Sequence, residues 1–244
     1  MSRKRSHVDA LNGRTAIILS CEHAGHVVPV AYRHLFARNR KVLTTHRGYD
    51  VGIAPLARQV ARILGVPLLA CQTSRLLIEP NRSLHHRDLF SEFSRNLPAA
   101  DKVWLIEHLW MPHRDTVTES VAQAIGRHKR VLHLALHSFT PVLDGQTRTA
   151  DIGLLYDPKR RPESDFARAL QRVLQETTDL RVRRNYPYRG NADGLTTALR
   201  RLLDPDDYAG MEIEFNQRLL IGPRTRPGRL ADMLCSAISR TGQS

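Results

Sequence analysis

The stretch Thr15-Ala16-Ile17-Ile18-Leu19-Ser20, followed at once by Cys21-Glu22-His23-Ala24-Gly25-His26, decides how the rest of the chain is read. Six residues of β-favouring, almost unbroken apolar character read as a strand buried on both faces, the pattern of a parallel sheet. Reactive side chains directly behind such a strand fit a sheet whose ligands bind off the carboxyl ends of its strands.

Working outward, residues 51–64 repeat Ile53, Leu56, Ala57, Val60 and Leu64 at helical spacing, with Asp50 suited to cap the start and Gly65 the end. Residues 66–71 read as a second strand, 131–136 (VLHLAL) as a third, 152–156 as a fourth and 211–215 as the last. Between them lie a helical region over 100–128 interrupted by Pro112, an amphipathic helix over 164–176 and a closing helix over 230–238. Alternating strands and helices imply an α/β sheet with helices on both faces. With 244 residues and 41% hydrophobic content, one domain over 15–244 is expected, preceded by a basic, disordered tail over 1–14.

Composition narrows the function classes. No apolar stretch is long enough for a membrane helix, and no apolar core follows the basic start as in a secretory signal, which points to the cytoplasm. Cys21, Cys71 and Cys235 are few and widely spaced, arguing against disulfides and zinc knuckles, so any metal falls to histidine and carboxylate. The formal charge of +13 is dispersed and aromatics are only 6% of the chain. That argues against nucleic acid as partner, and an arginine-rich genome or an anionic small substrate explains the charge as well.

His23 stands at the end of the first strand and His137 at the end of the third. Zinc hydrolases typically use three protein ligands and leave a fourth position to water. Asp50 is the first choice for the third ligand, with Glu22 and His26 left open. Arg75, Asn81 and Arg82 follow the second strand and suit a carboxylate clamp, since guanidinium grips carboxylate bidentately. Glu212 and Glu214 alternate onto one face of the last strand. Glu214, nearer its carboxyl end, is the candidate general base. Residues 185–190 (NYPYRG) read as a lid bringing Tyr188 or Arg189 to a ligand. Two other function classes stay in view: a cysteine amidase with Cys21 as nucleophile, and a non-enzymatic anion- or nucleic-acid-binding protein.

Taken in order, SCEHAG (20–25), YDVG (49–52), SRLLIEPNR (74–82), LHSFTP (136–141) and EIEFNQ (212–217) resemble the N-formylglutamate amidohydrolase family, over residues 15–222. The resemblance implies a three-layer α/β sandwich of the phosphorylase/hydrolase type, its mixed, mainly parallel sheet flanked by helices, similar to zinc carboxypeptidases and aspartoacylases. It also implies one Zn2+ per chain on His23, Asp50 and His137, with Glu214 as base and Arg75 helping to stabilise the oxyanion. Asn81 and Arg82 would hold the carboxylate of an acidic N-acyl amino acid in a catabolic deformylation. Glu79-Pro80-Asn81-Arg82 departs from the Asp-Leu-Asn-Arg common among members that act on formylglutamate.

Overall fold

In a computed structural model, residues 15–127, 130–222 and 226–241 are described. The basic stretch 1–14 lies outside them. The strands are β1 (Thr15–Cys21), β2 (Leu68–Ala70), β3 (Arg130–Phe139), the two-residue pair β4 (Val142–Leu143) and β5 (Gln146–Thr147), β6 (Ile152–Leu155), β7 (Val182–Arg184) and β8 (Tyr208–Asn216). The helices are α1 (Ile53–Leu64), α2 (Ala99–Leu105), α3 (Met111–Arg127), α4 (Arg161–Thr177), α5 (Leu195–Leu202) and α6 (Pro227–Thr241).

Six strands form one sheet in the order β2-β1-β3-β8-β6-β7. All neighbours run parallel except β6, which is antiparallel to β8. The architecture is therefore the mixed, mainly parallel α/β sandwich that the sequence implied. The alternation of the strands sorts its two faces. Ile17 and Leu19 of β1, Leu134 and Leu136 of β3, and Ile213 and Phe215 of β8 pack with α1, α4 and α6 into an aliphatic layer. The opposite face meets α3 and α5 through a smaller cluster around Val117, Val121, Leu195 and Leu199. Between those contacts this face carries buried polar groups. Ser20 Oγ lies 2.8 Å from His133 Nε2, and His133 Nδ1 lies 2.8 Å from the Tyr208 hydroxyl. Burial keeps His133 neutral, its pKa lowered to about 4.

A third cluster, built on Tyr32, Phe36, Leu77, Ile78, Leu89 and Leu105, anchors the segment between β2 and α2 beside the sheet. That anchoring fixes Arg75, Glu79 and Asn81 in place.

Several expectations need correction. β3 runs through Phe139, so His137 lies inside the strand rather than behind it, held by pairing with β8 on one side. Asp50 does not cap α1: Gly52, in the left-handed region at φ 83°, takes that position and no side chain caps the helix. Gly65 does close α1, with φ 71°. Pro112 does not break its helix, because a π-helical turn over Ile106–Trp110 precedes it and absorbs the missing donor. β7 and α5 are additional to the elements expected: β7 has three residues, and the amphipathic pattern of α5 covers only about two turns.

Beneath the segment 185–194, the buried pair Glu163 and Arg200 ties helices to sheet. Arg200 Nε donates to Glu163 Oε1 at 2.9 Å, while its Nη1 and Nη2 donate to the carbonyls of Gly190 and Gly210. Removing one partner of a buried, fully bonded pair costs about 3–5 kcal/mol, against about 0–1 kcal/mol for an exposed pair. Glu163→Ala is therefore expected to lower the urea midpoint sharply. Asp165→Ala, which removes the exposed pairs with Arg161 and Arg168, is expected to leave it nearly unchanged.

Candidate active site

Three chain segments meet where β1, β3 and β8 end. The turn after β1 supplies Glu22 and His23, the residues before α1 supply Asp50, and β3 supplies His137. Asp50 is reached because its backbone N–H donates to the His23 carbonyl at 3.0 Å, fixing the second segment onto the first. Its side chain is buried. Oδ2 accepts from the Ser138 N–H at 3.0 Å and lies 3.0 Å from His137 Nδ1; Oδ1 lies 3.5 Å from His23 Nδ1. The two imidazoles are set edge to face, their centroids 5.0 Å apart. One ligand atom from each of His23, Asp50 and His137 falls within 4.8 Å of the others.

Both histidines thus turn Nδ1 toward Asp50 and Nε2 toward a glutamate. Glu79 Oε1 lies 2.5 Å from His23 Nε2, and Glu22 Oε2 lies 2.9 Å from His137 Nε2. Glu22 is completely buried, with His113 of α3 3.6 Å away on its other side. Carboxylates behind ligand imidazoles are the usual way a metal site fixes its histidine tautomers. Burial alone would raise the pKa of Glu22, but hydrogen bonding to His113 and His137 holds it well below the carboxylate range. Burial likewise opposes ionisation of Glu79, and the Arg75 guanidinium overcomes it, leaving Glu79 ionised. Asp50 is held far below its ordinary value against burial by the two histidines.

The structure brings together Arg75, Asn81, Arg82, Tyr188, Arg189 and Glu214 with the triad around one cavity of about 220 Å³. Arg75 is pinned, with Nη2 2.6 Å from Glu79 Oε2 and Nη1 3.6 Å from Asp50 Oδ1. Asn81 Oδ1 accepts from the Leu195 N–H at 2.7 Å, which leaves its amide NH2 to meet a ligand. Arg82 Nη1 donates to the Asp193 carbonyl at 2.5 Å. Tyr188 is held by Arg148, whose Nη1 donates to its hydroxyl at 2.9 Å. The segment 185–190 crosses β6 at Gly153, where a Cβ would come within 2.0 Å of the Tyr186 carbonyl oxygen and 3.3 Å of Glu214 Cβ. Only glycine admits the loop so close to Glu214.

The alternatives fall to either side. His26 is exposed and packs on Tyr49 with centroids 4.7 Å apart, away from the triad. Glu22 sits behind His137 rather than among the ligand atoms. Cys21 is wholly buried in the aliphatic layer, and burial pushes its thiol pKa well up, the reverse of an activated nucleophile. Glu79, Arg148 and Asp193 are site residues that the sequence does not single out. Glu79 lies inside one of the quoted motifs, but its spacing carries no signal of the remote His23 it meets.

A buried N,N,O donor set, two imidazoles braced by carboxylates and an acid on the adjoining strand suit a metal-assisted hydrolase. The chain belongs to the N-formylglutamate amidohydrolase family, whose model matches residues 15–221. Among solved structures, a gene product of Agrobacterium tumefaciens is 27% identical with a TM-score of 0.81, covering 95% of this chain and 92% of its own. An N-formylglutamate amidohydrolase from Ralstonia eutropha JMP134 is 21% identical with a TM-score of 0.67, covering 93% of this chain and 92% of its own. No curated sequence matches the chain. Among the described residues no helix is long and apolar enough to cross a membrane. The chain is thus a hydrolase of amide bonds.

Glu214 is buried and its Oε2 finds no hydrogen-bond partner among the described residues. Burial raises its pKa to about 8 from 4.5, with Asp50 adding to the rise and His137 opposing it. The folded metal-free protein then holds this proton more tightly than the unfolded chain, so stability falls as pH rises between those two values. Metal-free wild type is expected to lose thermal stability relative to metal-free Glu214→Gln between about pH 5 and pH 9. Parallel melting curves against pH would contradict the burial argument.

Proposed function

We propose that the chain is a zinc-dependent amidohydrolase that removes a formyl or similarly small acyl group from an N-acyl amino acid. The convergence of His23, Asp50 and His137, one ligand atom from each within 4.8 Å of the others, beside an unpartnered Glu214 oxygen, carries this reading. The donor set fits the metal: two imidazoles and one carboxylate suit zinc, and the three-ligand count leaves room for water and substrate. Zinc held there would act as a Lewis acid toward the acyl carbonyl and the attacking water.

The remaining chemistry falls to the chain's own side chains. Glu214, starting from a pKa near 8 and shifted toward neutrality beside a divalent charge, takes a proton from the attacking water. It returns that proton to the departing amine nitrogen as the C–N bond breaks. Arg75 lines the cavity while braced by Glu79 and Asp50, and offers fixed positive charge to the acyl oxygen as negative charge develops there. Asn81 and Arg82 hold the substrate carboxylate, so that binding energy becomes orientation of the scissile bond. Tyr188 and Arg189, at the mouth, close over the ligand. The cavity, below the roughly 300–1,000 Å³ of drug-sized sites, suits an amino-acid-sized ligand.

Glu214→Gln is expected to abolish amine release while still binding about one zinc per chain. Near-normal turnover of that variant would sink the assignment. Chelation is expected to remove activity and added zinc to restore it, whereas iodoacetamide leaves it untouched, the opposite of what a Cys21 nucleophile requires. Glu79→Gln and Glu22→Gln are each expected to weaken zinc binding about 10–100-fold in chelator competition. Unchanged affinity in both would reduce these glutamates to structural charge partners.

A further inference from the structure

Of the many arginines in the sequence, Arg75, Arg82 and Arg189 line the cavity. Arg75 is held by Glu79 and Asp50, while Arg82 gives only Nη1 to the Asp193 carbonyl and keeps its other N–H groups for the substrate carboxylate. Facing them is a carboxylate that catalysis does not use. Glu212 lies two residues before Glu214 on the same face of β8, about 6.6 Å along the strand, and both line the cavity. Its Oε1 accepts from the Thr196 hydroxyl at 2.9 Å, at the start of α5. Among the described residues no ion pair reaches it and no protein donor bonds its Oε2.

The neighbouring backbone passes close to this carboxylate at Gly194. A Cβ at Gly194 would lie 3.3 Å from Glu212 Oε1 and 3.1 Å from Asn81 Oδ1, crowding the gap between them. Asp193 adds a second acid to the same wall, its Oδ2 already engaged by the Ser83 N–H at 2.8 Å. Half-buried and without an ion pair of its own among the described residues, the Glu212 carboxylate keeps Oε2 open to a donor on a ligand.

We propose that Glu212 determines substrate choice by accepting a hydrogen bond from a donor group on the substrate's side chain. The substrate would then be an N-acyl amino acid bearing a carboxamide, guanidinium or ammonium rather than a second carboxylate. This inference rests on the amidohydrolase reading above and narrows its substrate. A like charge placed against Glu212 is repelled, whereas a donor satisfies the open Oε2.

The test compares N-formylglutamine, N-formylarginine and N-formylglutamate on zinc-loaded wild type and Glu212→Gln. Binding is read by calorimetry and turnover by amine release. The amide of the variant keeps an oxygen for Thr196, so the fold is preserved, and circular dichroism checks it. Wild type is expected to favour at least one donor-bearing substrate over N-formylglutamate by about tenfold or more, and Glu212→Gln to erase most of that ratio. Preference of wild type for N-formylglutamate, or a ratio unchanged in the variant, overturns the inference. Selective binding without any turnover supports the subsite and overturns the amidohydrolase reading instead.

Discussion

The site depends on one buried carboxylate. Asp50 draws together an imidazole from the turn after β1 and another from inside β3, and its own position is fixed by backbone bonds to both neighbourhoods. A single anion beside two histidines lets both accept positive charge, and each histidine's pKa rises despite complete burial. The glutamates behind them complete an alternating file: Glu22, His137, Asp50, His23, Glu79, Arg75. Every member is neighboured by opposite charge or by a group that can carry it. Such a file is tolerable in the interior only because each desolvated group has its partner.

The sheet explains why this file lies where it does. On one face of β1, β3 and β8, aliphatic side chains meet α1, α4 and α6 and supply most of the apolar burial. That leaves the other face free to hold Ser20, His133, Tyr208, His137 and Glu214 under a thinner cover of α3 and α5. Parallel pairing sets His137 beside Glu214 in register, so this carboxyl group and one imidazole are aligned by the backbone itself. The antiparallel β6 brings Gly153 opposite Glu214, where the absent side chain makes room for the loop carrying Tyr188.

The sequence reveals this unevenly, for physical reasons. Long runs with one dominant pattern, such as 15–20, 51–64 and 164–176, are legible as strand and helix because burial on one or both faces imposes their period. The three-residue β7 and eight-residue α5 offer too few repeats to distinguish from loop. His23, His137 and Glu214 are visible as reactive groups on apolar strands, where they are costly without a use. Asp50 is legible as an acid but reads equally as a helix cap, and only the backbone at Gly52 separates the two. Glu79 and Glu22 cannot be placed from spacing, because their histidine partners are remote in sequence and meet them only through the fold.

Charge shows the same limit of composition as a guide. A formal +13 invites an anionic partner, yet many arginines are consumed inside the structure. Arg160 and Arg200 bind carbonyls and Glu163, Arg114 donates to the Pro80 carbonyl, Arg218 pairs with Asp151, and Arg75 braces the triad. What a ligand meets is set by the groups left over after this internal pairing. In the cavity those include the Arg82 and Arg189 guanidiniums and the Glu212 carboxylate. Net charge therefore speaks for the surface, while recognition is decided by a few side chains whose hydrogen-bonding capacity the fold leaves unspent.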